Sequence, residues 1–137
     1  MTGRTIVRTA SAPIMTVPIS QAVAHGSTLY VGGQAGFDPA TGVVVEGGFE
    51  PQLRQALRNL AAVVEAGGST LSHALKVTVY VADIDDYPAL NRVYGEFFAS
   101  APPARKVVQT RLLPGLLAEV DAIVALPEES PAQGEDR

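Results

Sequence analysis

The 137-residue chain has no cysteine and no tryptophan, only two histidines, and four residues each of tyrosine and phenylalanine. Without cysteine there is no disulfide, no thiolate metal site and no cysteine nucleophile. His25 and His73 stand far apart and offer no metal-ligand spacing. Charged residues are scarce at 18%, the net charge is −4 and no basic block occurs, which argues against nucleic acid as the main partner. No apolar run approaches the roughly 18 residues of a membrane span. The N-terminus also lacks a charged segment followed by an apolar core. No membrane partner is therefore expected, and a cytoplasmic location is the default.

What the chain does have is apolar bulk, 47% of its residues, enough for a single domain to bury its own core. Thr5–Arg8 reads as a short edge strand, and Ala10–Pro18, with two prolines and no periodicity, as loop. Ser20–Ala24 and Thr28–Val31 are strand-like around a hairpin turn at Ala24-His25-Gly26-Ser27. The glycines of Gly32-Gly33-Gln34-Ala35-Gly36 permit close backbone approach, to a strand or to a ligand, and do not form a nucleotide loop. Phe37–Gly42 is a turn, after which Val43–Val45 is expected to resume a strand.

Leu53, Leu57, Leu60 and Val64 recur at helical spacing, which predicts a helix over about Glu50–Ala66, with Pro51 in its first turn and Gly67-Gly68 as its stop. Leu75–Ala82 is apolar on both alternating sets and reads as a central strand covered on both faces. Asp83–Asp86 caps a second helix over about Tyr87–Ala99, with an apolar stripe of Leu90, Val93, Tyr94, Phe97 and Phe98. The tail from Pro127 is polar and aperiodic and is expected to be disordered.

Between that helix and the tail lies Pro102–Leu126, which reads as two adjoining strands joined by a Pro-Gly break. Arg105 opens the first strand and Glu119 the second. The pair admits two readings: an ordinary ion pair, or a carboxylate anchor and a proton-transfer group facing one substrate. The element order is β-β-β, α, β, α, β-β, an α+β arrangement of one mixed six-stranded sheet with two helices on one face. Two helices cover only one face of such a sheet, so burial of the other is expected to come from self-association.

Several motifs together resemble the Rid (YjgF/YER057c/UK114) family of reactive imine deaminases: SQAV at Ser20–Val23, VGGQ at Val31–Gln34, DPATG at Asp38–Gly42, QALRNLAAVVEAGG at Gln55–Gly68, KVTVYVAD at Lys76–Asp83, NRVYGEFF at Asn91–Phe98 and PPAR at Pro102–Arg105. The resemblance spans roughly Ser20 to Leu126. It implies a single Rid-like domain over residues 1–126, a chorismate-mutase-like fold and a homotrimer with ligand sites between subunits. It also implies cofactor-free hydrolysis of small 2-imino or enamine carboxylic acids to 2-keto acids and ammonia, with no metal.

By the resemblance, Arg105 holds the substrate carboxylate and Glu119 orients the attacking water. Asn91 is a polar residue near the site, and Val107 meets the ligand through its backbone. Two departures stand out: Ile19 replaces the family's tyrosine and Gly32 its serine, while Gly33 keeps the glycine. Loss of both hydroxyls makes the expected pocket roomier and more apolar, and points to a bulkier substrate. A non-catalytic carboxylate-metabolite or partner-binding trimer is the alternative. An endoribonuclease, the third reading, is opposed by the acidic charge.

Overall fold

The computed structural model describes residues 3–128. The expectation for the tail falls mostly on residues 129–137, which lie outside the described range. Six strands form one sheet in the order β1-β2-β3-β6-β4-β5. They are β1 (Thr5–Val7), β2 (Ala22–His25), β3 (Thr28–Ala35), β4 (Ala74–Val81), β5 (Ala104–Gln109) and β6 (Ala118–Ala125). Every pairing is antiparallel except β4 with β5, which is parallel. Two helices, α1 (Phe49–Ala66) and α2 (Tyr87–Phe97), complete the α+β architecture.

The helical spacing acts as expected: Leu53, Leu57, Leu60 and Val64 of α1 are fully buried, together with Leu90 and Val93 of α2. They pack against Leu29, Val77, Val79, Val81, Val120 and Val124 in a single core on one face of the sheet. A strand alternates its side chains between faces, so the residues between these project to the other side. Ile6, Val23, Tyr30 and Ile123 sit in direct register across four strands there. Ile6, Tyr30 and Ile123 remain exposed. β4 is thus central in the sheet, but within one chain it is covered on one face only.

Three expectations need correction. β5 and β6 are not adjoining, because β4 lies between them. The antiparallel β4–β6 pairing buries Val77, Val79 and Val81 beside Ala118, Val120 and Ala122, and the connection from β5 crosses over to reach that slot. Val43–Val45 forms no strand: a single bridge joins Phe37 to Val44. The Gly32–Ala35 stretch continues β3 instead of ending it, with a bulge between Val31 and Gln34 that the glycines accommodate.

Buried polar side chains tie the loops to the core. Asn59, 1% exposed, donates to the carbonyls of Ala35 and Phe37, both at 2.9 Å. Gln52 donates to the Gly115 carbonyl at 3.0 Å and accepts from the Leu117 amide at 2.8 Å, so α1 clamps the loop that feeds β6. Gln52→Leu leaves both loop groups without partners and is expected to lower the unfolding free energy by about 1–3 kcal/mol. The measurement is a fall in urea midpoint at unchanged m-value. An unchanged midpoint would show that the clamp contributes nothing.

Candidate functional site

Arg105 lies on β5 opposite Val77, and Val107 opposite Val79. Both therefore project to the helix side of the sheet, where Val107 packs against the core. The Arg105 guanidinium stacks 4.8 Å from the Tyr94 ring centre and 5.6 Å from that of Tyr87, an attractive placement for a cation. Its Nη2 donates to the Tyr87 hydroxyl at 3.1 Å. Among the described residues it has no carboxylate partner, so most of its donor fork is unused. Asn91 is exposed on α2 and falls between Tyr87 and Tyr94 on the same helix surface. The Tyr94 hydroxyl is buried with no hydrogen-bond partner. Burial pushes its pKa up to about 12, against the pull of the Arg105 charge. Arg105 and Val107 on β5, and Asn91 on α2, thus lie on the same side of the sheet at its edge, where β5 has no outer partner among the described residues.

Glu119 lies on the opposite face. It pairs with Ala35 on β3 and Tyr80 on β4, half-buried, and accepts no hydrogen bond among the described residues. Its carboxylate rests over Gly33, where a Cβ would displace it; the bare glycine lets the carboxylate lie in this position. Burial, and secondly the charge of Asp121, raise the Glu119 pKa above the ordinary glutamate value. Asp121 is held by the Tyr80 hydroxyl, which donates to its Oδ2 at 2.9 Å.

The carboxylate borders a cavity of about 680 Å³ that is also lined by Ile19, Gly32 and Gly33, within the size range of small-molecule sites. Arg4 and Arg8 are the cations on its wall, and Arg105 is not among its lining residues. Among the described residues, no group of three or more histidine, aspartate or glutamate side chains is placed to hold a metal ion.

The seven residues singled out in the sequence therefore fall into two sets, one on each face. Within one chain, Arg105 and Glu119 do not meet, and the ion-pair reading fails. Two features went unseen in the sequence. The tyrosine bracket around Arg105 was carried by the i, i+4, i+7 spacing of Tyr87, Asn91 and Tyr94. The charge neighbouring Glu119 was carried by the i, i+2 spacing of Glu119 and Asp121.

The family model described as Endoribonuclease L-PSP matches residues 9–126. The 2-iminobutanoate/2-iminopropanoate deaminase of Capra hircus is 43% identical over 121 residues, 88% of this chain and 88% of that protein. A RutC family protein of Pyrococcus horikoshii is 41% identical over 119 residues, 86% of this chain and 94% of its own length. Among solved structures, RidA from the Antarctic bacterium Psychrobacter sp. PAMC 21119 matches with a TM-score of 0.85 at 36% identity, over 89% of this chain and 99% of that one. Escherichia coli TdcF with bound serine matches with a TM-score of 0.85 at 32% identity, over 90% and 99% of the two chains.

A carboxyl whose pKa is raised on folding binds its proton more tightly in the native state, so it costs stability as pH climbs through and above the ordinary glutamate range. Glu119→Gln removes that cost. The variant is expected to gain stability relative to the parent as pH rises through and above the ordinary glutamate range, about 4, measured by urea midpoints. Asp121→Asn is expected to lower the Glu119 pKa only part of the way, because burial is the larger cause; carboxyl NMR titration reads it directly.

Proposed function

The chain belongs to the Rid family, and from that premise we propose that it hydrolyses 2-imino or enamine carboxylic acids to 2-keto acids and ammonia without a cofactor. The observation that carries this reading is Glu119: a half-buried carboxylate, unpaired, with a raised pKa, at the wall of a cavity of small-molecule size. The deaminases of known name at about this identity, and a relative holding serine, support it.

In the proposed reaction the protonated imine is already electrophilic at C2, and the protein supplies position. Glu119 accepts a proton as water adds to C2, giving a carbinolamine. It returns that proton to the nitrogen, and as the C–N bond breaks and ammonia leaves it takes the carbinolamine hydroxyl proton, which leaves the keto acid and a protonated Glu119. A glutamate with an elevated pKa suits both transfers better than a fully exposed one, because the proton is exchanged nearer the working pH.

The substrate carboxylate needs a cation, and Arg105 offers an unused planar fork. Since Arg105 faces away from Glu119 in its own chain, we assign the meeting to two copies: Arg105 with Asn91 and the Val107 backbone from one, and Glu119 from its neighbour, in a homotrimer. The exposed apolar row Ile6–Tyr30–Ile123 supports association of the uncovered sheet faces. Arg4 and Arg8 give a second reading, an anchor within the same chain, because they border the Glu119 cavity. RNA cleavage, the activity in the family model's description, gains no support from a net charge of −4.

Arg105→Ala is expected to abolish keto-acid and ammonia release from enzymatically generated imines, with the sedimentation coefficient unchanged. Mixing Arg105→Ala chains with Glu119→Ala chains is expected to recover part of the activity, since some shared sites then hold both native residues. No recovery, together with loss of activity in Arg8→Ala, would place the anchor in one chain. Saturable keto-acid binding with no turnover in the native protein would leave a binder in place of an enzyme.

A further inference from the structure

We propose that the cavity beside Glu119 is built for imines with a long or branched apolar side chain, in preference to the methyl and ethyl imines in the names of the relatives. This inference rests on the imine-deaminase reading above and specifies its substrate. The cavity wall is the reason. Ile14, Met15, Val17 and Ile19 from the loop between β1 and β2, and Leu113 from the loop before β6, all line it. Each of the five is between 41% and 66% exposed in the chain. Large apolar side chains left open to water around a single concavity mark a surface meant to be covered.

The wall is also held in place before anything binds. Gln21, at the foot of the loop, accepts from the Thr9 amide at 2.7 Å. It donates to the carbonyls of Thr9 at 3.0 Å, Ala12 at 3.4 Å and Pro13 at 2.9 Å. One side chain thereby fixes the backbone leading into Ile14, and its own polar atoms are used up in doing so. Gln34 likewise turns its amide onto the Gly32 carbonyl at 3.4 Å. Two of the polar residues on the lining are thus occupied internally, while Glu119 has no hydrogen-bond partner among the described residues and Arg4 and Arg8 stand on the same wall.

At Gly32 a Cβ would sit 3.3 Å from the Ser20 carbonyl oxygen, so even a small side chain there would crowd the strand-end backbone. Gly32 therefore contributes only backbone to that part of the wall. A methyl imine placed with C2 near Glu119 would leave the apolar wall wet. A leucine-, methionine- or phenylalanine-derived imine would cover it, and each added methylene against an apolar pocket is worth roughly tenfold or more in kcat/KM.

The test uses the native full chain and an amino-acid oxidase that releases imines from alanine, 2-aminobutyrate, leucine, methionine and phenylalanine, with keto-acid formation followed in time. The expected result is a kcat/KM at least about tenfold higher for the leucine- or phenylalanine-derived imine than for the alanine-derived one. The double variant I19S/L113S, exposed loop positions whose exchange is tolerated by the fold, is expected to bring that ratio back toward unity. A flat or falling series, with the short imines hydrolysed, overturns the inference and leaves the deaminase reading standing. Hydrolysis of no imine overturns both. A ratio untouched by the double variant would show that the wall is covered by a second copy of the chain and not by substrate, and would also overturn the inference.

Discussion

Side chains on a strand alternate between the two faces of its sheet, and in this protein that alternation separates the two groups on which the proposed chemistry rests. Val77 and Val79 hold Arg105 and Val107 to the helix side, while Tyr80 and Ala35 flank Glu119 on the other. With β4 between them, the strands carrying the two charges are not even neighbours. No rotamer change moves a side chain from one face to the other, and a register slip would expose the whole apolar set of the strand. The separation is as rigid as the core. A reaction needing both groups in one place must therefore recruit one of them from outside the chain.

The same alternation leaves an apolar row, Ile6, Val23, Tyr30 and Ile123, on a face that neither helix covers. Burying large apolar side chains is worth about 1.5–3 kcal/mol each, so the uncovered face stores a substantial driving force for association. The edge strand β5 adds unpaired backbone on its outer side. Exposed face and exposed edge belong to one chain, and on the proposed reading both are answered by symmetric contact with further copies. On the proposed reading, assembly and catalysis then have a single origin, since the contact that covers the face also brings a guanidinium to the neighbouring carboxylate.

Much of the fold was legible because its signals are local. The spacing of Leu53, Leu57, Leu60 and Val64 defines the buried stripe of α1, and the apolar run from Leu75 reads as the strand it is, with Val77, Val79 and Val81 inward. The order of strands in the sheet was not legible, because pairing of β6 with both β3 and β4 is a long-range choice made by the whole core. For the same reason, two charges read as neighbours turned out to lie on opposite faces. The bulge at Gly32 and Gly33 was legible as a need for glycine. What fills the space over Gly33 was not, since the carboxylate lying there belongs to Glu119, far along the chain. Ile14, Met15 and Val17 sit in an aperiodic, proline-bounded stretch that reads as featureless loop; the hydrogen bonds of Gln21 help give it a shape.

Glu119 shows how these constraints combine. Gly33 lets the carboxylate lie against the strand, where partial burial disfavours its charge, and Asp121, steadied by Tyr80, disfavours it further. Both effects act in one direction, toward a protonated side chain, in a cavity wall otherwise rich in apolar groups. An iminium entering that cavity reverses the balance, because an opposite charge close by favours the carboxylate. The substrate would thus ionise the group that is to accept the proton from water, and departure of the nitrogen would remove the favouring charge and return the side chain to its protonated form. On that reading the guanidinium serves the substrate carboxylate, and the charge that switches the glutamate is the one on the substrate nitrogen, which arrives with the substrate and leaves with the product.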